Sequence, residues 1–213
     1  MAEILQHWEA QNIRFDAIYT GYLGSIAAIE ETERLCSTLL KPQGILVVDP
    51  AMADHGRLYS GFDTAYAEAM KELCTRADLI LPNITEAAML SGMAFSEPAA
   101  EEYVSHLLEA LHHPGVVLTG VDFGPSETGV AIRLGNSYSV YRHRKFPKSY
   151  HGTGDLFASC LVGAYLRGKS LQQSAQIAAD TVCCSIQNTL QHPEHWYGVR
   201  FETAIPGLLN SLS

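Results

Sequence analysis

The chain is short of charge, and most of the charge that it has is negative. Charged residues make up 17% of its 213 residues, below the roughly 25% of an ordinary globular protein. The net charge is −9 and no long basic run occurs, which argues against a nucleic-acid-binding surface. The chain also lacks a run of 18 apolar residues and a signal peptide, so we expect a cytoplasmic protein without a membrane span.

The sequence patterns of several common sites are missing as well. The five cysteines include no CxxC pair, and the nine histidines show neither HExxH nor paired Cys/His spacing, so we expect no structural metal site. An odd number of cysteines in apolar surroundings indicates core thiols in a reducing compartment. The chain has neither the GxGxxG of dinucleotide-binding folds after its first strand nor the GK[ST] of a Walker loop.

What the chain does have is a regular alternation of apolar strands and helical patterns. Continuous apolar segments such as FDAIYTG and GILVVDP are typical of parallel strands that are covered on both faces. We therefore predict an α/β fold over residues 1–213 as a single domain, with a mostly parallel central sheet flanked by helices. The stretch 127–146 predicts two antiparallel strands that are joined at Gly135-Asn136. Among the predicted helices are those at 25–41, 97–113, about 154–168, 170–190 and about 202–212.

Polar residues cluster where the predicted strands end. Ligands of such sheets bind at the carboxyl ends of the strands, so these clusters predict one shared cleft. The clusters are Thr20-Gly21-Tyr22, Asp49-Pro50, Pro82-Asn83 and Thr119-Gly120. Asp49 and Asp54 could hold Mg²⁺ through water, or they could belong to an ordinary Asp- and Pro-rich turn. Asn83 and Glu86 could both face the cleft, or they could simply cap a helix.

The segment YHGTGD precedes a run of small apolar residues that predicts a buried helix. A helix cap needs one Ser, Thr, Asp or Asn, and it does not need glycines on both sides of Thr153. The N–H groups of Gly152, Thr153 and Gly154 could instead surround a phosphoryl group during transfer. Asp155 would then accept the proton of the attacking hydroxyl as a general base. The alternative is that Asp155 is an ordinary acid in a first helical turn.

Three aromatic residues are weaker candidates for ligand contacts. Tyr22 and Tyr59 could stack on a flat ring, although a tyrosine in apolar surroundings is more often part of the core. The basic segment YRHRKF, which ends at Phe146, could hold adenine or phosphate, or it could be a solvated edge strand.

Together these segments resemble the ribokinase superfamily and, within it, the pyridoxal kinases. The matching elements come in the family's order: TGY, then DPAMAD where the family has a DPxxGD-like stretch, PNITEA where it has PNxxE, LTG, and GTGDLFAS. Related hydroxymethylpyrimidine kinases tend to carry cysteine where this chain has Asp155, which favours pyridoxal as the substrate.

The resemblance implies a three-layer ribokinase-like sandwich that phosphorylates the 5′-hydroxyl of pyridoxal with ATP, with pyridoxine and pyridoxamine as further acceptors. It implies Mg²⁺ and a monovalent cation as cofactors. Asp155 would be the base, and Gly152, Thr153 and Gly154 would form the anion hole. The resemblance also assigns nucleotide contacts to Asp49, Asn83, Glu86, Thr119 and Phe146, and metal contacts to Asp54 and Glu86. Tyr22 would lie against the pyridine ring, and Tyr59 would sit on the loop that covers it.

The chain departs from the family pattern in several places. Ala53 stands where the family usually has glycine, and Leu81 stands where some relatives have a small polar residue near the metal. The sequence begins at a helix where the family has a glycine- and serine-containing strand region and lid strands. We therefore expect a fold without its front strands, with an exposed sheet edge, and with weak or no activity by itself. The full-length form would be a homodimer. The alternatives are a kinase of hydroxymethylpyrimidine or another small molecule, and a nucleotide-binding chain without turnover.

Overall fold

The computed structural model describes residues 2–213, in which strands and helices alternate as predicted. The strands are Phe15–Thr20 (β1), Leu40–Val48 (β2), Ala53–Asp54 (β3), Arg57–Leu58 (β4), Leu79–Ile80 (β5), Gly115–Asp122 (β6), Glu127–Leu134 (β7) and Ser137–Arg144 (β8). The helices are Ala2–Ala10 (α1), Ile26–Leu39 (α2), Thr64–Thr75 (α3), Ile84–Ser91 (α4), Glu101–Ala110 (α5), Thr153–Leu166 (α6), Leu171–Leu190 (α7) and Ile205–Leu212 (α8), with a 3₁₀ turn at Phe201–Ala204. No helix within residues 2–213 has the length and apolar character needed to cross a membrane.

Two helices are shorter than predicted. The helix predicted at 25–41 ends at Leu39, because Leu40 is extended at φ −72° and ψ 133° and begins β2. Lys41 precedes Pro42, and a residue before proline disfavours helical backbone. The helix predicted at 97–113 covers only Glu101–Ala110, and His112 beyond it has a left-handed φ of +48°.

The described residues form two compact units. The first comprises the residues up to 97 together with 105–116, and the second comprises 98–104 and 117–213. Within the first unit, β1 pairs with β2, β2 with β5, and β5 with the start of β6, all in parallel. Within the second unit, β7 pairs antiparallel with β8, joined at the predicted Gly135-Asn136 turn. The predicted fold class, a mostly parallel sheet flanked by helices, is confirmed, and the single domain stays a prediction.

Burial explains why the strands of the first unit are continuous apolar runs. Leu46, Val47 and Val48 are each at most 3% exposed, as a parallel strand with both faces covered requires. The strand ends also lie in one row, since Thr20 is opposite Val48 and Val48 is opposite Ile80. The polar residues that follow β1, β2 and β5 therefore lie at the same end of the sheet, at the carboxyl ends of the strands, as predicted for this unit.

Small residues let the helices of the second unit approach closely. On α6, Ala158 and Ala164 are at most 1% exposed and Leu161 is fully buried, and on α7 Ala175 and Ala178 are fully buried. Burying one leucine of this kind stabilises a fold by roughly 1.5–3 kcal/mol. This packing fixes α6, and therefore the GTGD segment at its beginning.

Candidate active site

The first turn of α6 has backbone donors that no side chain caps. Gly152 is the N-cap residue, with φ +79° and ψ 3°, and it makes no side-chain capping hydrogen bond. The left-handed backbone explains the glycine, since other residues adopt this conformation only with strain. The Thr153 hydroxyl donates to the carbonyl of Tyr150 at 3.1 Å and does not serve as a cap. The N–H groups of this turn thus face outward at the positive end of a helix, an arrangement that suits an anion.

One side of this turn opens into a pocket of about 220 Å³, which we call the Thr119 pocket. Thr153 and Gly154 line it together with Thr119 from β6 and His143 from β8. The structure thus brings two of the three predicted anion-hole residues, Thr153 and Gly154, and the predicted nucleotide contact Thr119 to one pocket. Phe157, which is 8% exposed, closes part of the wall and makes it apolar.

The other side of the turn opens into a cleft of about 570 Å³, which we call the Asp155 cleft. Gly152 and Asp155 line it from the first turn of α6, and Ser159 lines it one turn further on. The facing wall comes from the segment 195–202. Sequence reasoning did not find this wall, because the segment is irregular and has no periodic pattern or motif.

Phe146 is half-buried and lies under the guanidinium of Arg144, whose carbon is 5.3 Å from the ring centroid. The residue of the predicted segment 141–146 that lines the Thr119 pocket is His143, whose Nδ1 lies 3.3 Å from Sγ of Cys183. Phe146 lies beyond the end of β8 at Arg144 and does not belong to the lining of the Thr119 pocket. The nucleotide contact of Phe146 stays a prediction.

In the first unit, the side chain of the predicted ligand Glu86 accepts hydrogen bonds from backbone N–H groups. Its side chain is buried, with 2% of the residue exposed. One carboxylate oxygen accepts from the N–H of Met52 at 2.9 Å and of Ala53 at 3.3 Å, and the other accepts from the N–H of Asn83 at 2.9 Å. Asn83 in turn accepts from the N–H of Glu86 at 2.9 Å, which completes a capping box for α4. The capping interpretation of the pair is therefore confirmed, and a metal contact of Glu86 stays a prediction.

Side chains at the start of α4 also form hydrogen bonds with the small hairpin of β3 and β4. Asn83 Nδ2 donates to the carbonyl of Ala53 at 2.8 Å, and the Thr85 hydroxyl accepts from the N–H of Gly56 at 3.1 Å. The turn residues His55 and Gly56 have φ values of +49° and +76°, the conformation of a tight two-residue hairpin turn. This hairpin carries the exposed Asp54 and was not predicted, since its two-residue strands depend on contacts made by α4.

Asp49 and Glu86 form the acidic pair of the first unit. Burial raises the pKa of the Glu86 carboxyl from its ordinary 4.5 to about 7, and the Asp49 carboxylate adds to this shift. Asp49 is half-buried and accepts from the N–H of Ala51 at 3.2 Å. Within residues 2–213, no group of three His, Cys, Asp or Glu side chains is arranged to hold a metal ion. Mg²⁺ is usually held by one or two carboxylates together with water and substrate phosphates. Both oxygens of Glu86 already accept backbone N–H groups, so a metal contact in this unit stays a prediction.

The raised pKa of Glu86 makes stability depend on pH. Folding favours the protonated carboxyl. The contribution of this group to the free energy of unfolding is therefore complete below pH 4.5, and it is lost as the pH rises through about 7. Between pH 5 and pH 7 we expect the free energy of unfolding to fall by about 2 kcal/mol more in the wild type than in Glu86→Gln. Urea unfolding at both pH values measures this difference, and parallel pH dependence of the two proteins would contradict it.

The two tyrosines have different surroundings. Tyr22 is 62% exposed, and its ring stacks on Phe62, with 5.4 Å between centroids. Phe62 stacks on Tyr66 at 3.8 Å, so Tyr22 is the outer ring of an aromatic stack and not a core residue. Tyr59 is 40% exposed and its N–H donates to the carbonyl of Met52 at 2.9 Å, at the foot of the hairpin. The substrate contacts of both tyrosines stay predictions.

Comparison with known proteins shows that the chain is similar to small-molecule kinases. Residues 5–199 match the phosphomethylpyrimidine kinase family. The chain is 24% identical to a pyridoxal kinase of Arabidopsis thaliana over 89% of its own length and 64% of the relative's. It is 29% identical to a hydroxymethylpyrimidine/phosphomethylpyrimidine kinase of Bacillus subtilis over 85% of its own length and 67% of the relative's. The chain thus spans about two thirds of the length of these relatives.

Solved structures agree with this assignment. A pyridoxal kinase of Lactobacillus plantarum is 31% identical, with a TM-score of 0.86 over 98% of this chain and 76% of the other. A candidate phosphomethylpyrimidine kinase of Bacteroides thetaiotaomicron, solved with pyridoxal, is also 31% identical, with a TM-score of 0.89 over the same shares. The fold is therefore the one shared by pyridoxal kinases and phosphomethylpyrimidine kinases.

Proposed function

The chain belongs to the phosphomethylpyrimidine kinase family, and from that premise we propose that it transfers the γ-phosphoryl group of ATP to a hydroxymethyl group on a pyridine or pyrimidine ring. One observation carries the proposal: in the first turn of α6, uncapped N–H groups lie beside the exposed carboxylate of Asp155. The N–H groups suit a phosphoryl group in transfer, and the carboxylate suits the hydroxyl that attacks it.

The reaction follows from these two groups. The acceptor O–H bond breaks and its proton passes to the Asp155 carboxylate. The acceptor oxygen forms a bond to the γ-phosphorus as the bond from that phosphorus to the bridging oxygen of ADP breaks. The backbone N–H groups of residues 152–154 hold the equatorial oxygens of the phosphoryl group, where negative charge is concentrated. A second proton acceptor is not required.

The nucleotide is assigned to the Thr119 pocket. Thr153 and Gly154 line this pocket beside Thr119, so a triphosphate that ended at the α6 turn would have its γ-phosphate at the uncapped N–H groups. We propose Asp54 and Glu86, the two residues that the resemblance names, as contacts of Mg²⁺. When it is bound, Mg²⁺ would supply positive charge to the phosphates of ATP. A monovalent cation remains an expectation from the resemblance alone.

Pyridoxal is the acceptor that we propose, giving pyridoxal 5′-phosphate. The resemblance supports it through Asp155, and the pyridoxal kinases among the similar proteins support it too. Hydroxymethylpyrimidine is the second candidate, because the matching family and the Bacillus subtilis relative are named for that activity. A hydroxymethyl group on a six-membered nitrogen heterocycle is common to both.

The test is an assay of the purified chain with MgATP and each acceptor in turn. We expect a product heavier by one phosphoryl group by mass spectrometry, with kcat/KM higher for pyridoxal than for hydroxymethylpyrimidine. A higher kcat/KM for hydroxymethylpyrimidine than for pyridoxal would instead support the second candidate function. Binding of MgATP without product from either acceptor would instead indicate a nucleotide-binding chain without turnover.

A further inference from the structure

The first unit contains a pocket that the proposed function does not use. It has a volume of about 160 Å³, and we call it the Lys71 pocket. Its lining comes from α3, β5, α4 and the segment that joins α5 to β6. The lining residues all belong to the first unit, and none of them lines the Thr119 pocket or the Asp155 cleft.

The floor of the Lys71 pocket is apolar. Cys74, Ile80 and Leu90 line it, and each is at most 7% exposed. Burial raises the pKa of the Cys74 thiol, and the carboxylates of Glu86 and Asp49 raise it further. The thiol therefore stays protonated, so the floor is uncharged and does not react with a ligand.

One wall of the pocket is held in place by the buried ring of His113. Its two nitrogens lie 2.7 Å from the carbonyl oxygen of Gly115 and 3.0 Å from that of Ala77. These contacts join the segment before β6 to the residues that follow α3. Leu111 and Pro114 belong to the same segment and line the pocket. The pocket is thus formed by the fold itself, as ligand sites usually are.

Two basic side chains stand at the rim of the pocket. Lys71 on α3 and His112 beyond α5 are exposed, and both line the pocket. Within residues 2–213, neither side chain forms an ion pair or a hydrogen bond. No aspartate or glutamate of the described residues belongs to the lining. A basic rim above an apolar floor suits a ligand that has an anionic group on an apolar body.

The size of the pocket limits this apolar body. A cavity of about 150 Å³ in a protein core holds one benzene molecule. The Lys71 pocket has nearly the same volume, about 160 Å³, so one six-membered ring fills it. An anionic substituent on that ring would lie at the rim, and a nucleotide is too large for the pocket.

We propose that the Lys71 pocket binds a small aromatic carboxylate, with the ring against Ile80 and Leu90 and the carboxylate at Lys71 and His112. The inference does not depend on the proposed function, because none of the residues that we assign to phosphoryl transfer lines this pocket. A ligand bound here leaves the Thr119 pocket and the Asp155 cleft free. It contacts α4, the helix whose first turn contains Glu86.

The first test uses benzoate as the probe and benzamide, which has the same shape without the charge, as the control ligand. In an NMR titration of backbone amides we expect saturable shifts at Lys71, Thr75 and 111–113, with a Kd for benzoate of about 1 mM, typical of so small a ligand. Benzamide should bind roughly threefold more weakly, the effect of one exposed charged contact. Equal affinity for the two ligands would overturn the proposal, as would the absence of saturable shifts at these residues.

The second test changes the rim without disturbing the core. Lys71→Gln removes an exposed charge and should weaken benzoate binding roughly threefold, while benzamide binding stays the same. Thr75 is exposed at the end of α3 and lines the pocket, so Thr75→Phe fills the space and should weaken both ligands roughly tenfold or more.

Lys41→Gln is the matched control for these variants, because Lys41 is an exposed lysine of the same unit that does not line the pocket. We expect wild-type affinity for benzoate in this control. Thermal unfolding of each variant shows that it is folded. Unchanged benzoate affinity in either folded Lys71→Gln or folded Thr75→Phe would overturn the proposal. The titrations contain neither ATP nor an acceptor, so their result is independent of turnover.

Discussion

Replacing Asp155 by asparagine should lower kcat for phosphoryl transfer roughly 10²- to 10⁴-fold, the usual contribution of a general base. Asparagine has the same shape but cannot accept the hydroxyl proton. Nucleotide affinity should stay within about twofold, because Thr119, Thr153 and Gly154 line the Thr119 pocket and Asp155 does not. Steady-state kinetics together with nucleotide titration measures both quantities.

Asp16→Asn is the control for this experiment. Asp16 is exposed on β1 and pairs with Lys41 at 2.6 Å, so the change removes one carboxylate from the surface. Exposed ion pairs contribute little to stability, and we expect wild-type activity. A kcat within threefold of wild type in Asp155→Asn would remove Asp155 from the proposed mechanism.

Replacing Glu86 by alanine should lower the free energy of unfolding by about 2–4 kcal/mol. The side-chain oxygens of Glu86 accept from the backbone N–H groups of Met52, Ala53 and Asn83. Removing it leaves three donors without this acceptor and opens a cavity at a position that is 2% exposed. Urea unfolding at pH 6 measures the loss.

Glu72→Ala is the matched control, since Glu72 is an exposed glutamate on α3 of the same unit. We expect a change within about 0.5 kcal/mol there. A loss below 1 kcal/mol in Glu86→Ala would mean that water or neighbouring groups satisfy the three donors equally well. Activity of the folded Glu86→Gln variant would then decide whether the residue serves the reaction rather than the hairpin.

Local patterns in the sequence predicted the parts of the fold that depend on neighbouring residues. The apolar run of β2, the hairpin joined at Gly135-Asn136 and the small-residue helix after Gly154 are all found as predicted. Each is specified within a few residues by burial, turn chemistry or helical spacing. The nucleotide contact of Thr119 came from the family resemblance, and the structure places Thr119 in one pocket with Thr153 and Gly154 of the α6 turn.

Features that depend on distant residues were not predictable in this way. The hairpin of β3 and β4 is held by Glu86, Asn83 and Thr85, which lie about thirty positions along the chain. The wall that contains His195 has no motif and reaches the Asp155 cleft only through the packing of the second unit. The capping and ligand interpretations of Asn83 and Glu86 could not be separated from sequence, because one spacing serves both.

The separation of the Thr119 pocket from the Asp155 cleft by a single turn of α6 has a kinetic consequence. The two spaces have different linings. Gly152 and Asp155 line the Asp155 cleft, and Thr153 and Gly154 line the Thr119 pocket. With the nucleotide in the Thr119 pocket, as proposed, an acceptor beside Asp155 would not have to leave through the space that the nucleotide occupies. This arrangement favours a random-order mechanism over a compulsory-order one. In a random-order mechanism the two substrates bind in either order, and the two products leave independently of each other.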